Sequence, residues 1–363
     1  MEDPKRPASG LGRRGFLKAG GLALAPAALS PTTGEAAPLT EKEKLDRIAS
    51  NTWPIRYIFK SRTRFGAGAN TRTSELKQKY GEITMLDFPH FTKEHFPGVT
   101  HMDLFSGLFG DVTDDAMYVN VPLAVGAATR VTQEFDPSSD AGKRWLDKLA
   151  NTMATTGTQC QHISNNAPRD ICDPDVEKRK AGIVVAKKWL DGAAVLGAKS
   201  MRVNSGGPRI APTAVATADY PKADDLAALL TNCIESFKEM ADYGGKKGVK
   251  VTLENHWGLT ANPMNIRIIV DEVHSPFCEA SPDFCNWEHE YLMYNGLKAL
   301  APYAHTNVHA KYWSRWQDNN VARSVKIMRE AGFEGTFALE YEEGPWDGIE
   351  GSKYLYKEVL AAL

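Results

Sequence analysis

Four short apolar runs in the second half of this chain each end on an acidic or imidazole side chain. They are Val249-Lys-Val-Thr-Leu-Glu254, Phe277-Cys-Glu-Ala-Ser-Pro-Asp283, His305-Thr-Asn-Val-His309 and Thr336-Phe-Ala-Leu-Glu340. The ends are 29, 26 and 31 residues apart. Each interval has room for one strand and one helix, the repeat of a (β/α)8 barrel. Parallel strands of such a barrel finish at one face, so Glu254, Asp283, His309 and Glu340 are expected to converge at its mouth. Any one of them alone would read as a strand-end ion pair; the spacing of all four singles them out. Three carboxylates and one imidazole in a ring suit a divalent cation held mostly by oxygen.

The rest of the chain keeps that rhythm. Helical periodicity over 138–155, 175–196, 223–243, 263–273, 290–300, 321–331 and 352–363 alternates with strand-like runs that end at Ile163, Asn204 and the four positions above. Earlier strands are expected at 48–53 and 100–105, with Asp87 capping a helix that runs to Phe96. Residues 59–82 read as a polar loop, and 107–136 as an irregular insertion decorating the mouth. Strands alternating with helices imply a parallel sheet. No Gly-rich dinucleotide turn, Walker motif, Cys-x-x-Cys or His-Glu-x-x-His is present, so the expected fold is a single α/β (β/α)8 TIM barrel over 41–363.

Residues 1–40 read differently. Arg13-Arg14-Gly-Phe-Leu-Lys18 precedes a weakly apolar stretch ending near Leu29, followed by a Pro/Thr/Gly/Ala linker. That order is a twin-arginine export signal, which predicts the twin-arginine export machinery as a partner and a periplasmic or secreted destination. The apolar stretch is too short to span a bilayer, so no stable membrane anchor is expected. The net charge of −2 supplies no basic footprint, which argues against a nucleic-acid partner. Five dispersed cysteines form no disulfide framework; whether Cys278 and Cys285 pair is left open.

The segments Leu253-Glu254-Asn255-His256, Asp283, His309-Ala-Lys311 and Leu339-Glu340, with Gly197-Ala-Lys-Ser-Met-Arg202-Val, resemble the xylose isomerase-like barrel superfamily of sugar isomerases and epimerases. The resemblance covers about 45–363 and is most specific over 197–342. It implies one divalent metal (Mn2+ first, with Mg2+ or Co2+ as alternatives) held by Glu254, Asp283, His309 and Glu340, with the two glutamates also moving protons. Epimerases of the group commonly carry a His three residues after the ligand Asp; here that position is Asn286. Barrels of the group often pair, so a homo-oligomer is compatible with the resemblance. A distant nuclease branch uses a larger His and Asp set that is incomplete here.

The chemistry follows from the site. A carbon-bound proton beside a carbonyl becomes removable when a metal stabilises the enediolate, and two flanking carboxylates can take and return it. Glu254 and Glu340 are the proton-transfer candidates, with Lys311 and His256 as further catalytic candidates that polarise a carbonyl or orient a ligand. Arg202, His162, Asn286 and Trp257 are expected to contact a carbohydrate substrate, and Trp53, Phe105 and Trp313 to offer an aromatic wall. The expected function is an exported metal-dependent sugar isomerase or epimerase. A lyase or dehydratase acting on keto-sugars or 3-keto-glycosides is the alternative from the same site. A non-catalytic carbohydrate-binding barrel is a third reading.

Overall fold

The barrel interior is polar because strand alternation sends apolar side chains the other way. Met102, Leu104, Ile163, Met201, Val251, Leu253, Val308, Phe337 and Leu339 are fully or almost fully buried, as are Leu149, Leu190, Phe237, Ile269, Leu297, Val325 and Leu355 on the surrounding helices. Each such side chain withdrawn from water contributes roughly 1.5–3 kcal/mol before entropy is counted. The alternate strand positions, among them Asp103, His162, Thr252, His309 and Glu340, are left for the barrel axis.

The computed structural model describes residues 38–62, 71–125, 128–207 and 223–363, and 39–363 form one compact unit. The twin-arginine segment and its linker up to residue 37 lie outside the described residues. In chain order the strands are β1 (Ile48–Asn51), β2 (His101–Phe105), β3 (Tyr118–Val125), β4 (Ala128–Phe135), β5 (Gln159–Ser164), β6 (Ser200–Arg202), β7 (Lys250–Leu253), β8 (Cys278–Ala280), β9 (Asn307–Trp313) and β10 (Thr336–Glu343). All but β3 and β4 form one parallel sheet in the order β8-β7-β6-β5-β2-β1-β10-β9. The open ends, β8 and β9, meet through a single bridge between Asp283 and His309. There Phe284 N donates to His309 O at 3.1 Å, His309 N donates to Pro282 O at 3.1 Å, and Ser281 Oγ donates to Asn307 O at 2.8 Å. The ring is therefore closed in sequence order, as a (β/α)8 barrel requires.

Helices pack around it: α1 (Glu41–Leu45), α2 (Thr71–Tyr80), α3 (Phe88–His95), α4 (Asp140–Thr156), α5 (Val176–Val195), α6 (Ala223–Lys247), α7 (Pro263–Val273), α8 (Leu292–Leu300), α9 (Val321–Glu330) and α10 (Gly348–Ala362). Their starts follow from capping chemistry. Ser139, Asp175, Asn262, Asn320 and Asp347 each accept a hydrogen bond from a backbone N–H of the first turn. Among the described residues no helix is long and apolar enough to cross a membrane, and all five cysteines, Cys278 and Cys285 included, are free and buried.

Four local expectations change. Residues 107–136 are not irregular: β3 and β4 pair antiparallel from Tyr118↔Phe135 to Val125↔Ala128. Pro122 sits in this two-stranded ribbon opposite Val131, a tolerated place because such a ribbon has free edges. The expected loop at 59–82 contains α2, and the last helix begins at Gly348 rather than at Ser352. Asp87 lies at the start of α3 in helical conformation, so its carboxylate turns back to accept from Thr84 N (2.8 Å) and Thr84 Oγ1 (2.7 Å) instead of capping the helix.

Candidate metal centre

His309 is the hub of the barrel interior. Strands β9 and β10 run past His309 and Glu340, so these two residues sit one layer below the rim rather than at strand ends. Register explains the depth: Ala338 pairs with His309 and Glu340 with Lys311, while the Tyr312 and Tyr341 rings stack outside at 5.6 Å and hold both strands extended. Glu254 is the first residue after β7, and Asp283 follows β8 on the closing bridge. Around His309 Nδ1 lie Glu254 Oε2 at 3.5 Å, Glu340 Oε2 at 3.5 Å and Asp283 Oδ2 at 3.9 Å. The four expected ligands are thus brought together. Glu254, Asp283 and His309 can place one donor atom each within 4.8 Å of one another.

The donor atoms fit a cation. His309 Nδ1 and Asp283 Oδ2 are buried without a hydrogen-bond partner; Lys311 Nζ lies 3.1 Å from Asp283 Oδ2 but outside hydrogen-bonding geometry. The opposite nitrogen, His309 Nε2, lies 2.9 Å from Asp103 Oδ2. With the proton on Nε2, this contact leaves the Nδ1 lone pair facing the three carboxylates, the usual way a ligand histidine is oriented. Asp103 is itself held by Ser164 Oγ (2.8 Å) and Asn307 Nδ2 (3.1 Å). Charge points the same way. Asp103, Glu254, Asp283 and Glu340 are buried carboxylates, whereas Arg202 and Lys311 are the buried cations paired with them. The deficit is two positive charges, which a divalent ion would supply.

Protonation mirrors that deficit. Burial opposes the His309 imidazolium, but Glu340, Glu254 and Asp103 outweigh it and raise its pKa well above the ordinary value. Burial lifts Asp283 to about 7, with Glu340 and Glu254 adding to the rise and Lys311 opposing it. Burial also works against the Glu254 carboxylate, yet Arg202 and His309 hold it ionised, well below the ordinary range. Lys311 stays charged: Asp283, Glu340 and Glu342 outweigh its burial. The raised pKa values of His309 and Asp283 favour protons where positive charge is missing.

The remaining expected residues separate by depth. Arg202 pairs with Glu254 through Nη1 and donates from Nε to Asn165 O at 3.1 Å, so its guanidinium belongs to the centre. Asn286 bridges two members, donating from Nδ2 to Glu254 Oε1 (2.8 Å) and accepting from Lys311 Nζ (3.0 Å). Lys311 Nζ also lies 2.9 Å from Glu340 Oε1. His162, expected to line the substrate pocket, is fully buried beneath the centre. Its Nδ1 lies 2.8 Å from Ser200 Oγ, its ring centroid is 5.9 Å from that of His309, and burial lowers its pKa to about 4, against the pull of Asp103. His256 and Trp257 are half-buried in the turn after β7 with ring centroids 5.3 Å apart. Trp53 and Phe105 meet edge to face at 5.0 Å, and Lys311 Nζ lies 5.8 Å from the Trp313 ring.

Sequence reasoning missed Asp103, Ser164 and Glu342. Asp103 had a readable signal: within His101-Met-Asp-Leu-Phe105 it alternates with two apolar residues, so it must share the inward face. Glu342 had one as well, since it lies two residues beyond Glu340 on the same strand face. It accepts from Trp53 Nε1 at 2.6 Å and lies 3.5 Å from both Lys311 Nζ and Arg56 Nη2. The acids that compete with Asp283 in sequence lie elsewhere: Glu279 pairs with Lys250 at 2.6 Å and accepts from Thr306 N, and Asp271 accepts from Tyr303 OH at 3.0 Å. His305 is exposed.

Comparison with known proteins agrees with the barrel fold. A family model described as a xylose isomerase-like TIM barrel matches residues 126–362. Among solved structures, the 3-keto-D-glucoside 4-epimerase YcjR from E. coli superposes with a TM-score of 0.55 at 13% identity, covering 76% of this chain and 94% of that one. A xylose isomerase-like TIM barrel protein from Mycobacterium smegmatis in complex with magnesium gives 0.52 at 15% identity, covering 87% and 97%. A D-tagatose 3-epimerase-like protein gives 0.54 at 13%, covering 75% and 91%. No curated protein matches the chain.

Proposed function

Because the chain belongs to the xylose isomerase-like TIM barrel family, we propose that it is a metal-dependent sugar isomerase or epimerase. The observation that carries this reading is the gathering of Glu254, Asp283, His309 and Glu340 around two buried atoms that lack hydrogen-bond partners. Those four residues would hold one divalent ion, with Mn2+ our first choice and Mg2+ or Co2+ as alternatives. When bound, the ion supplies positive charge that stabilises developing negative charge on substrate oxygens.

The chain's own residues supply the proton transfers. Glu254 and Glu340 approach the same point from β7 and β10, three strands apart around the ring, and act as the base that removes a proton beside the carbonyl and the acid that returns it. Return on the opposite face gives an epimer; return to the neighbouring carbon gives an isomer. Arg202 keeps Glu254 ionised and ready to accept. Lys311, charged and backed by Asn286, polarises the carbonyl oxygen. Asn286 takes the place where epimerases of this type commonly carry a histidine, and it fixes the Glu254 carboxylate through Oε1. The same removal step followed by loss of a β-hydroxyl would make the enzyme a lyase.

The test is metal analysis followed by incubation of a panel of free and keto-sugars in heavy water. The expected result is deuterium at one carbon of an isobaric product, abolished by a chelator and by Glu254→Gln or Glu340→Gln. Full turnover in both variants would overturn the assignment, and loss of water from the product would convert it to the lyase reading. We further propose that the Arg13-Arg14 segment sends the protein out of the cytoplasm.

A further inference from the structure

Glu342 faces two places. On one side it lies 3.5 Å from Lys311 Nζ; on the other it lines a cavity of about 310 Å³ between the turn after β1, helix α2 and the start of α10. Arg56, Tyr57, Arg72 and Glu343 supply the other polar walls, and Leu76 an apolar one. Glu342 thus belongs both to the wall of this cavity and to the surroundings of Lys311 in the proposed reacting centre. Its volume lies at the lower end of the range for small-molecule sites.

We propose that this cavity is a second sugar subsite, so that the substrate is a glycoside whose reacting ring lies at the Glu254/Glu340 centre and whose second ring enters here. The proposal rests on the functional reading given above and narrows its substrate class. The walls select the chemistry. Two guanidiniums face two carboxylates, so the lining is balanced in charge and gives an anion no net attraction. A hydroxyl both donates and accepts, so neighbouring guanidinium and carboxylate groups serve a polyol better than a ligand of one sign. The wall is also built to hold its shape. Arg56 is almost fully buried, with its guanidinium 4.0 Å from the Trp53 ring centroid, Nη1 donating to Trp53 O at 2.8 Å and Nη2 to Tyr57 OH at 3.0 Å. Arg72 is exposed at the rim, where it can reach a second ring without serving the centre.

The experiment compares 3-keto-D-glucose with 3-keto-maltose, the keto group being in the non-reducing ring, on the metal-loaded full-length protein. The wild type is expected to favour the disaccharide in kcat/KM by about tenfold or more. Arg72→Ala, which loses a charged hydrogen-bond donor, and Leu76→Trp, which fills the cavity, are each expected to raise KM for the disaccharide by about tenfold. Both variants are expected to leave 3-keto-D-glucose turnover unchanged. Equal use of the two sugars by the wild type, or equal effects of the variants on both, overturns the subsite. If neither sugar exchanges deuterium, the reading of the centre falls instead. Calorimetric titration with maltose then decides the subsite: binding weakened by Arg72→Ala supports it, and binding absent or unchanged overturns it.

Discussion

Asp103→Asn isolates the orientation of the hub histidine from its identity as a ligand. The carboxylate takes three donors: His309 Nε2 at 2.9 Å, Asn307 Nδ2 at 3.1 Å and Ser164 Oγ at 2.8 Å. An amide of nearly the same shape keeps the volume, so no cavity opens. It can keep its oxygen toward His309 and turn its NH2 toward the Ser164 hydroxyl, which can accept. What is lost is the charge. A hydrogen bond to a charged group contributes about 1.5–3 kcal/mol and a neutral one about 0.5–1.5 kcal/mol, so the His309 contact weakens by about 1–1.5 kcal/mol. Loss of a buried negative charge near a dication adds to this, giving a total near 2 kcal/mol. At about 1.4 kcal/mol per decade the divalent-metal affinity falls by about 30-fold, within the 10- to 100-fold range usual for such outer partners. Competition of Mn2+ against a fluorescent chelator measures it directly. Because Glu254, Asp283 and Glu340 are untouched, turnover is expected to recover largely at saturating metal. An affinity within twofold of wild type would refute the claim that Asp103 sets the His309 lone pair.

Acidity supplies the next expectation. Both Asp283 (about 7) and His309 are raised above their ordinary values, so in the metal-free fold near neutrality His309 holds its proton and Asp283 is partly protonated. A raised pKa contributes stability that is complete below the unfolded value and lost as pH rises through the folded one. The metal-free protein is therefore expected to lose thermal stability from about pH 4 to about pH 7 through Asp283 and from about pH 6.5 upward through His309, while Mn2+ affinity rises with pH because binding must displace those protons; parallel thermal scans with and without chelator test both. Gly351→Ala in α10 would set a Cβ 2.2 Å from Cγ of the buried Tyr341 ring. The overpacking, about 1–3 kcal/mol, exceeds the roughly 1 kcal/mol that alanine adds to a helix, so the denaturation midpoint falls. Arg13→Lys with Arg14→Lys is expected to leave the protein in the cytoplasm on cell fractionation; unchanged export would remove the targeting proposal.

The centre was more legible in the sequence than the elements around it. A carboxylate or imidazole closing a buried strand is costly without a partner, so four of them at barrel spacing left few alternatives. Their depth was not legible: strand ends were placed at His309 and Glu340, whereas β9 and β10 continue to Trp313 and Glu343. That extension is fixed by cross-strand pairing between segments about 30 residues apart, which periodicity does not report. His162 was placed at the pocket for a similar reason. Alternation told which face it joins but not that Asp103, from the neighbouring strand, sets the layer in which both are buried. The hairpin β3–β4 carries its own alternation, obscured by Pro122 inside a run that otherwise looks like a strand.

The last join in the cylinder is also its thinnest. Elsewhere adjacent staves share at least two paired positions, but β8 and β9, though tied also by Ser281 Oγ on Asn307 O, share one backbone bridge, that of Asp283 with His309. These are the same two residues whose free atoms point at the cation position. An ion seated there would act as a rivet across the seam, so filling the centre and sealing the cylinder become one event, and an empty protein would part first along that line.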